Sequence, residues 1–199
     1  MPPAEPVLIC ALSGRALAQQ ARRAGYAPIV LDAFADLDTR AATAASLRVP
    51  IDRRWQFRGR ALLAAAARLA PPPIPLVYGS GFERATGVLA QLARGRPLWG
   101  NGPEAIRAVK DPVSFAAAAQ QLNIPHPEIR FRPPADPQGW LCKRSGGAGG
   151  GHVHRAGTRP PRGHGWYWQR RAQGRPVSAL VIGNGAAARL LGCSEQWAA

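Results

Sequence analysis

Apolar residues in the first hundred positions come in short unbroken runs that alternate with stretches at helical spacing. "PVLICALSG" is a short apolar run ending in Ser-Gly, which predicts a buried strand entering a turn. "RALAQQARRAGY" places Leu17, Ala21 and Ala24 on one face, with Gly25 after them, and predicts a helix with a glycine stop. "APIVLD" is a second buried strand, ending in Asp32. Strand, helix and strand with an acid at the second strand's end form a βαβ unit. "FADLDTRAATAA" is polar and reads as a loop. "RGRALLAAAARLA" predicts a helix that "PPPIP" ends, and Leu76 to Tyr78 a third strand running into a Gly-Ser-Gly turn. "RATGVLAQLARG" predicts another helix, and "PLWGNG" a fourth short strand and a loop. This alternation over Val7 to Gly102 predicts a parallel sheet of about four strands.

The pattern changes after Gly102. "PEAIRAVKDPVSFAAAAQQLNIPHP" predicts two helices, with Pro103 starting the first, Asp111-Pro112 opening the second and Asn123 near its end. "EIRF", "GWLCKR", "HVHR", "GWYWQRR" and "PVSALVIGNGAAARLLG" follow as short strands between Gly/Pro turns, an antiparallel pattern. Gly-Asn-Gly at 183–185 between apolar runs signals a hairpin. "RPPADPQG" and "RAGTRPPRGHG" read as exposed connectors, and no internal repeat is present.

Composition adds a lopsided charge. The 199 residues carry 26 Lys+Arg against 11 Asp+Glu, a formal net charge of +15, and only Lys110 and Lys143 are lysines. The abundance of Arg with Ala, Pro and Gly points to a compositional bias. A polyanion partner is the alternative, because clustered cations neutralise phosphates and release counterions. No Arg-rich helix face with interleaved aromatics occurs, so nucleic acid is not the expected partner. Cys10, Cys142 and Cys193 form no CxxC pair, which argues against a zinc site or a disulfide framework and suits a reducing compartment. No run approaches the ~20 apolar residues of a membrane span, so the expectation is a cytoplasmic protein with no membrane partner.

The candidate chemistry lies in "WLCKRSGGAGGGHVHR". A strand ending in Lys143 leads into a loop holding Ser145 and the five glycines Gly146, Gly147, Gly149, Gly150 and Gly151, and a second strand follows. Glycines lack Cβ and let successive N–H groups approach a phosphate, while the lysine directs an ammonium at the same anion. The lysine precedes the glycines, so this is not a P-loop, and a strand follows, so it is not a Rossmann fingerprint. A flexible linker is the alternative reading. His152 and His154 form an H-x-H pair; a metal site needs further ligands at fitting spacing, and strand histidines near phosphate or solvent are the simpler reading. Asp32 reads as a turn acid at the sheet end, because "ALSGRALA" lacks the glycines of a ribose-binding Rossmann site. Cys142 reads as a small core residue facing away from Lys143, and Trp166, Tyr167 and Trp168 as core and surface of the same sheet.

Three segments in order resemble the ATP-grasp superfamily. "GNGPEAIRAVKDPVSFAAAAQQLNIPHPEIRF" resembles the opening of its ATP-binding part, "WLCKRSGGAGGGHV" its glycine-rich phosphate loop, and "WYWQRRAQGRPVSALVIGNG" the stretch crossing from the lid into the larger lobe. The resemblance implies an α/β protein: a Rossmann-like parallel-sheet domain over 1–102, an α+β ATP-grasp lid subdomain over 103–174, and the start of the larger ATP-grasp lobe over 175–199. It implies ATP as cofactor, with Lys143 and the loop from Ser145 and Gly146 to Gly151 on the phosphates, and Gln169, Arg170, Arg171 and Ala172 along the adenine. It further implies a ligase joining a small-molecule carboxylate to an amine through an acyl phosphate, with Mg2+ between the phosphates and a homodimer as one assembly. More loosely, the chain is similar to the tyramine–glutamate ligase kind of one-carbon cofactor biosynthesis. The substrate pocket implied at the carboxyl edge of the parallel sheet would take in Ser13, Gly14, Ser80, Gly81 and Glu83. Glu83 is there either an amine partner or a helix N-terminal acid.

The sequence departs from that pattern. Pro112 stands where a second phosphate-binding lysine is usual; Lys110 either replaces it or faces solvent. Pro176 and Arg170 stand where acids are common. From Pro137 onward Glu195 is the only acid, among nine Lys/Arg, so the Mg2+ ligands are expected outside this chain. The alternative function is therefore a nucleotide-binding or accessory protein without catalysis, and a basic nucleic-acid binder is a third reading.

Overall fold

The computed structural model describes residues 3–157 and 163–197. Residues 158–162, within the expected connector after Arg155, lie outside them. The first half is a four-stranded parallel sheet with helices on both faces. Its strands are β1 (Pro6–Cys10), β2 (Ala27–Asp32), β3 (Ala45–Arg48) and β4 (Leu76–Tyr78), in the order β3-β2-β1-β4. Its helices are α1 (Arg15–Arg23), α2 (Leu37–Ala41), α3 (Gly59–Leu69) and α4 (Thr86–Leu92).

Strands buried on both faces need apolar residues at every position, which explains the unbroken runs of β1 and β2. Leu8, Leu31 and Leu76 pack with Leu62, Phe82 and Leu89 on one face, and Val7, Ile9 and Val30 with Ala18 on the other. Each fully buried side chain of this size contributes about 1.5–3 kcal/mol.

Two expectations need correction. The polar stretch 34–45 is not a loop: it contains α2 and runs into β3. Asp36 starts α2 by accepting from the Thr39 backbone N–H at 2.7 Å. β3 is the sheet's edge and is only half-buried, so it needs no apolar run. Conversely, "PLWGNG" supplies no full strand and touches the sheet through a single Leu76–Leu98 parallel bridge.

Helices α5 (Pro103–Lys110) and α6 (Pro112–Gln121) meet at Asp111, whose carboxylate accepts from the Ser114 N–H at 2.8 Å. An antiparallel sheet follows, ordered β5-β8-β6-β7, from β5 (Ile129–Arg130), β6 (Trp140–Arg144), β7 (Val153–Arg155) and β8 (Trp166–Arg170). Trp140, Cys142 and Trp168 are buried together on one face of it. Strand alternation therefore turns Lys143, Tyr167 and Gln169 to the other face. The chain then forms a hairpin of β9 (Val177–Gly183) and β10 (Ala188–Glu195), every residue of which is exposed. No helix among the described residues is long and apolar enough to cross a membrane.

Candidate nucleotide site around the glycine loop

The loop between β6 and β7 is fixed at its start and at Gly147. The Ser145 N–H donates to Gly165 O at 2.8 Å, and the Ser145 hydroxyl donates to Lys110 O at 3.2 Å, tying the loop to the end of α5. The Lys110 ammonium donates to Gly147 O at 3.1 Å. Of the two places open to Lys110, the structure gives it the one against the loop. Lys143 reaches diagonally to Gln169 on β8, two residues beyond its cross-strand partner Tyr167, and the Gln169 side-chain oxygen accepts from its ammonium. The Gln169 amide nitrogen lies 3.4 Å from His126 Nε2.

These groups converge. Lys110, Lys143, Gly146, Gly147, His152 and Gln169 line one cavity of about 220 Å3. Burial holds the Lys143 ammonium below the ordinary lysine value. Burial also holds His152 below its usual value; the Ala148 backbone opposes this, and the charges of Lys110, Lys143 and His154 add to it. A bound phosphate would favour the charged form of both groups, so the cavity suits an anion.

The glycines serve different purposes. A Cβ on Gly147 would lie 2.1 Å from His152 Cγ, so the imidazole packs directly on that backbone. Gly149 and Gly150 have φ of +69° and +78°, where side chains are strained, and open space around them. A Cβ on Gly146 would lie 2.8 Å from Arg84 Cγ, so the loop leans on the turn after β4.

Other expected residues fall elsewhere. Arg170 turns to the opposite face, its guanidinium 5.2 Å from the Trp140 ring centroid, and Arg171 lines a cavity beside Trp140 and Leu141. Their backbone N–H groups donate to Glu128 O and Gly139 O. Ala172 is exposed. At the parallel-sheet edge, the Leu12 N–H donates to Ser80 O at 2.9 Å, so the two turns do meet. Gly14 is buried, its N–H donates to Asp32, and a Cβ on it would collide with Val30. Ser13 is exposed. Asp32 is fully buried and accepts from the N–H groups of Gly14, Phe34 and Ala35 at 3.0, 3.1 and 2.6 Å, as a turn acid does. Glu83 is not in the first turn of α4; its carboxylate accepts from the Gly81 N–H at 2.8 Å while facing a cavity. The histidine pair is divided, with His154 5.9 Å from the Trp166 ring, and no group of three metal-ligating side chains occurs among the described residues.

A second and larger cavity, of about 590 Å3, lies across the loop from the first, at the sheet edge where the resemblance implied a pocket, and Ser80, Gly81 and Glu83 of the residues expected there line it. It lies between the loop and the parallel-sheet edge and is lined by Arg54, Trp55, Ser80, Glu83, Arg84 and Arg144, among others. Sequence reasoning missed its arginines: Arg144 stands next to Lys143 and offered a signal, whereas Arg54 and Arg84 come from distant turns.

No family model and no curated protein matches the chain. Solved structures do. The chain superposes on N5-carboxyaminoimidazole ribonucleotide synthetase, crystallised with ADP, at a TM-score of 0.70 and 14% identity, covering 100% of this chain and 56% of that one. It superposes on the L-amino acid ligase of Bacillus licheniformis at 0.67 and 12%, covering 98% and 51%. A third is the biotin carboxylase domain of Hydrogenobacter thermophilus 2-oxoglutarate carboxylase, a dimer with MgADP, ADP and bicarbonate, at 0.69 and 10%, covering 94% and 49%. The chain has an ATP-grasp fold. It spans about half the length of these ATP-grasp structures.

Proposed function

We propose that this chain is the ATP-binding portion of an ATP-dependent carboxylate–amine ligase. The observation that carries the reading is the convergence of Lys110, Lys143 and the glycine loop on one cavity within an ATP-grasp fold. We divide the chain as a Rossmann-like domain over 1–102, a lid over 103–174 and the start of the larger lobe over 175–199. Lys143, Lys110 and the N–H groups of Gly146 and of 148–151 hold the phosphates, while Ser145 and Gly147 fix the loop, and Gln169 to Ala172 lie along the adenine. ATP supplies the phosphoryl group that turns a carboxylate into an acyl phosphate, which an amine then attacks. The chain's own residues bind and orient: two ammoniums fix the phosphate end, and the loop covers it.

Mg2+ does not fit the described side chains. Asp111 caps α6, Glu83 accepts from Gly81, and Glu195 lies on the exposed hairpin 3.7 Å from Arg175. A hard divalent ion needs several oxygen ligands in near-octahedral geometry, so no step is assigned to it here.

The decisive experiment is calorimetric titration of ATP. Lys143→Ala weakens binding by about 1.5–3 kcal/mol, the size of a charge-assisted hydrogen bond. Equal affinity in variant and parent removes the reading. A second reading, nucleotide binding without catalysis, is favoured by the engagement of these acids elsewhere. ADP release with Mg2+ and a panel of amines and amino acids separates the two. Turnover near ~1 s⁻¹, the low end of ordinary enzymes, supports the ligase. Including tyramine and glutamate tests the finer placement in one-carbon cofactor biosynthesis, which rests on sequence resemblance, as does the cytoplasmic placement.

A further inference from the structure

The two cavities flanking the glycine loop differ in their walls. The smaller one has the two lysines and one side of Arg144; the larger one has Arg144 together with Arg54 and Arg84. Arg54 comes from the loop before α3, Arg84 from the turn before α4, and Arg144 from the end of β6. No ion pair among the described residues engages any of the three. Arg144 Nε is buried without a hydrogen-bond partner. Desolvation, and behind it the charges of Arg84 and Arg54, pull the Arg144 guanidinium below its ordinary value. Three converging cations that repel one another and form no ion pair are an unfavourable arrangement unless an anion completes it.

The lining decides how much charge that anion carries. Glu83 is the one carboxylate in the wall, and burial holds His152 below its usual value, favouring its neutral form. Three guanidiniums against one carboxylate leave two charges unbalanced, so a monoanion leaves one cation over and a dianion leaves none. The wall also offers flat surfaces. Trp55 stands at the rim at φ +58°, a conformation rare for a bulky residue, and its ring lies 6.2 Å from that of Phe34. Trp166 lines the same cavity, its ring 5.7 Å from the Arg144 guanidinium.

Resting on the ligase reading above, in which this sheet edge takes the substrate, we propose that the cavity of about 590 Å3 selects a small organic dianion with a flat body, a phosphate monoester or a dicarboxylate, gripped by Arg54, Arg84 and Arg144 between Trp55 and Trp166. Both cavities share Arg144, Gly146, Gly147 and His152 in their walls. A substrate carboxylate therefore lies across one backbone from the phosphates. Planar guanidiniums suit carboxylate and phosphate oxygens through paired N–H donors.

The test titrates the 199-residue chain with phenyl phosphate and phthalate, two flat dianions, and with benzoate, a flat monoanion, while ATP affinity is measured separately. At least one dianion is expected to bind about tenfold or more tightly than benzoate, and Arg54→Ala or Arg84→Ala to weaken it about tenfold, a step of 1.4 kcal/mol. The ATP affinity of Arg54→Ala is expected to stay at the parent value. Whichever dianion binds more tightly identifies the source of the charge as phosphoryl or carboxylate. Benzoate binding as tightly as both dianions, no dianion binding by about 10 mM, or binding that survives both arginine substitutions overturns the proposal. Dianion binding in a chain that fails to bind ATP removes the nucleotide reading and keeps the pocket; ATP binding without dianion binding does the reverse.

Discussion

Three glycines of one loop differ in why they are glycine, and substituting each by alanine separates the reasons. A Cβ on Gly147 would sit 2.1, 2.2 and 2.6 Å from His152 Cγ, Cδ2 and Nδ1. Those are ring atoms close to the backbone, so the whole imidazole must swing away. Forcing a side chain from its packed position costs about 1–3 kcal/mol. Gly149 has nothing within 4 Å but a φ of +69°, so its alanine variant bears only the left-handed backbone cost of about 1–2 kcal/mol. Gly151 has neither obstacle. Its alanine variant is expected to be neutral or to gain about 0.4–1 kcal/mol from a less flexible unfolded chain. Urea midpoints at constant slope give the three differences. The same variants titrated with ATP show whether His152 supports the anion site. The deciding control is His152→Ala in the Gly147→Ala background. Removing the ring removes the clash, so the two substitutions must be non-additive, with the pair costing less than the sum. Additive costs, or Gly147→Ala behaving like Gly151→Ala, refute the packing argument.

Proton linkage gives a second expectation. Burial disfavours the charged form of Lys143, so its unfavourable contribution to stability persists below its folded pKa and is relieved as pH rises through that value toward the ordinary one. ATP phosphates reverse the preference at Lys143 and at His152. ATP binding near neutral pH is therefore accompanied by proton uptake, read by calorimetry in buffers of different ionisation enthalpy; proton release contradicts it. Asp32→Ala leaves three buried N–H groups without their acceptor and is expected to cost about 2–4 kcal/mol in urea unfolding, each orphaned group contributing ~1 kcal/mol or more. Burial raises the thiols of Cys10, to about 12, and of Cys142, while Cys193 is exposed, so a thiol reagent labels Cys193 first in the native chain. Nucleic acid is expected to bind more weakly than about 1 μM at physiological salt, because the positive charge is scattered; tighter binding in a filter or anisotropy assay contradicts this.

The order of elements was legible because β1, β2 and β4 are buried strands and α1 and α3 stand at helical spacing. The edge strand β3 was not, because an edge has little to bury and therefore little pattern. The lysine and glycines of the loop were legible as a candidate phosphate site because they are contiguous. The arginines of the second cavity were hidden for the opposite reason. Arg54, Arg84 and Arg144 are separated by 30 and 60 positions, and in a chain with so many arginines no three stand out. Only folding brings those three to one wall. Asp32 was readable as a turn acid, whereas the contact of Lys110 with the loop depended on how α5 docks, which no local pattern encodes.

The β9–β10 hairpin sets a clock. Leu180, Val181, Ile182, Leu190 and Leu191 are each more than half exposed, and neighbouring residues of a strand point to opposite faces, so neither face of the ribbon is buried. A two-stranded ribbon holds itself together only weakly. Its amides should therefore exchange with solvent far sooner than those of β1 and β2, whose opening requires the parallel sheet to come apart. Anything that covers the ribbon slows that exchange without touching the parallel sheet, so the ratio of the two rates gauges assembly from within the chain itself.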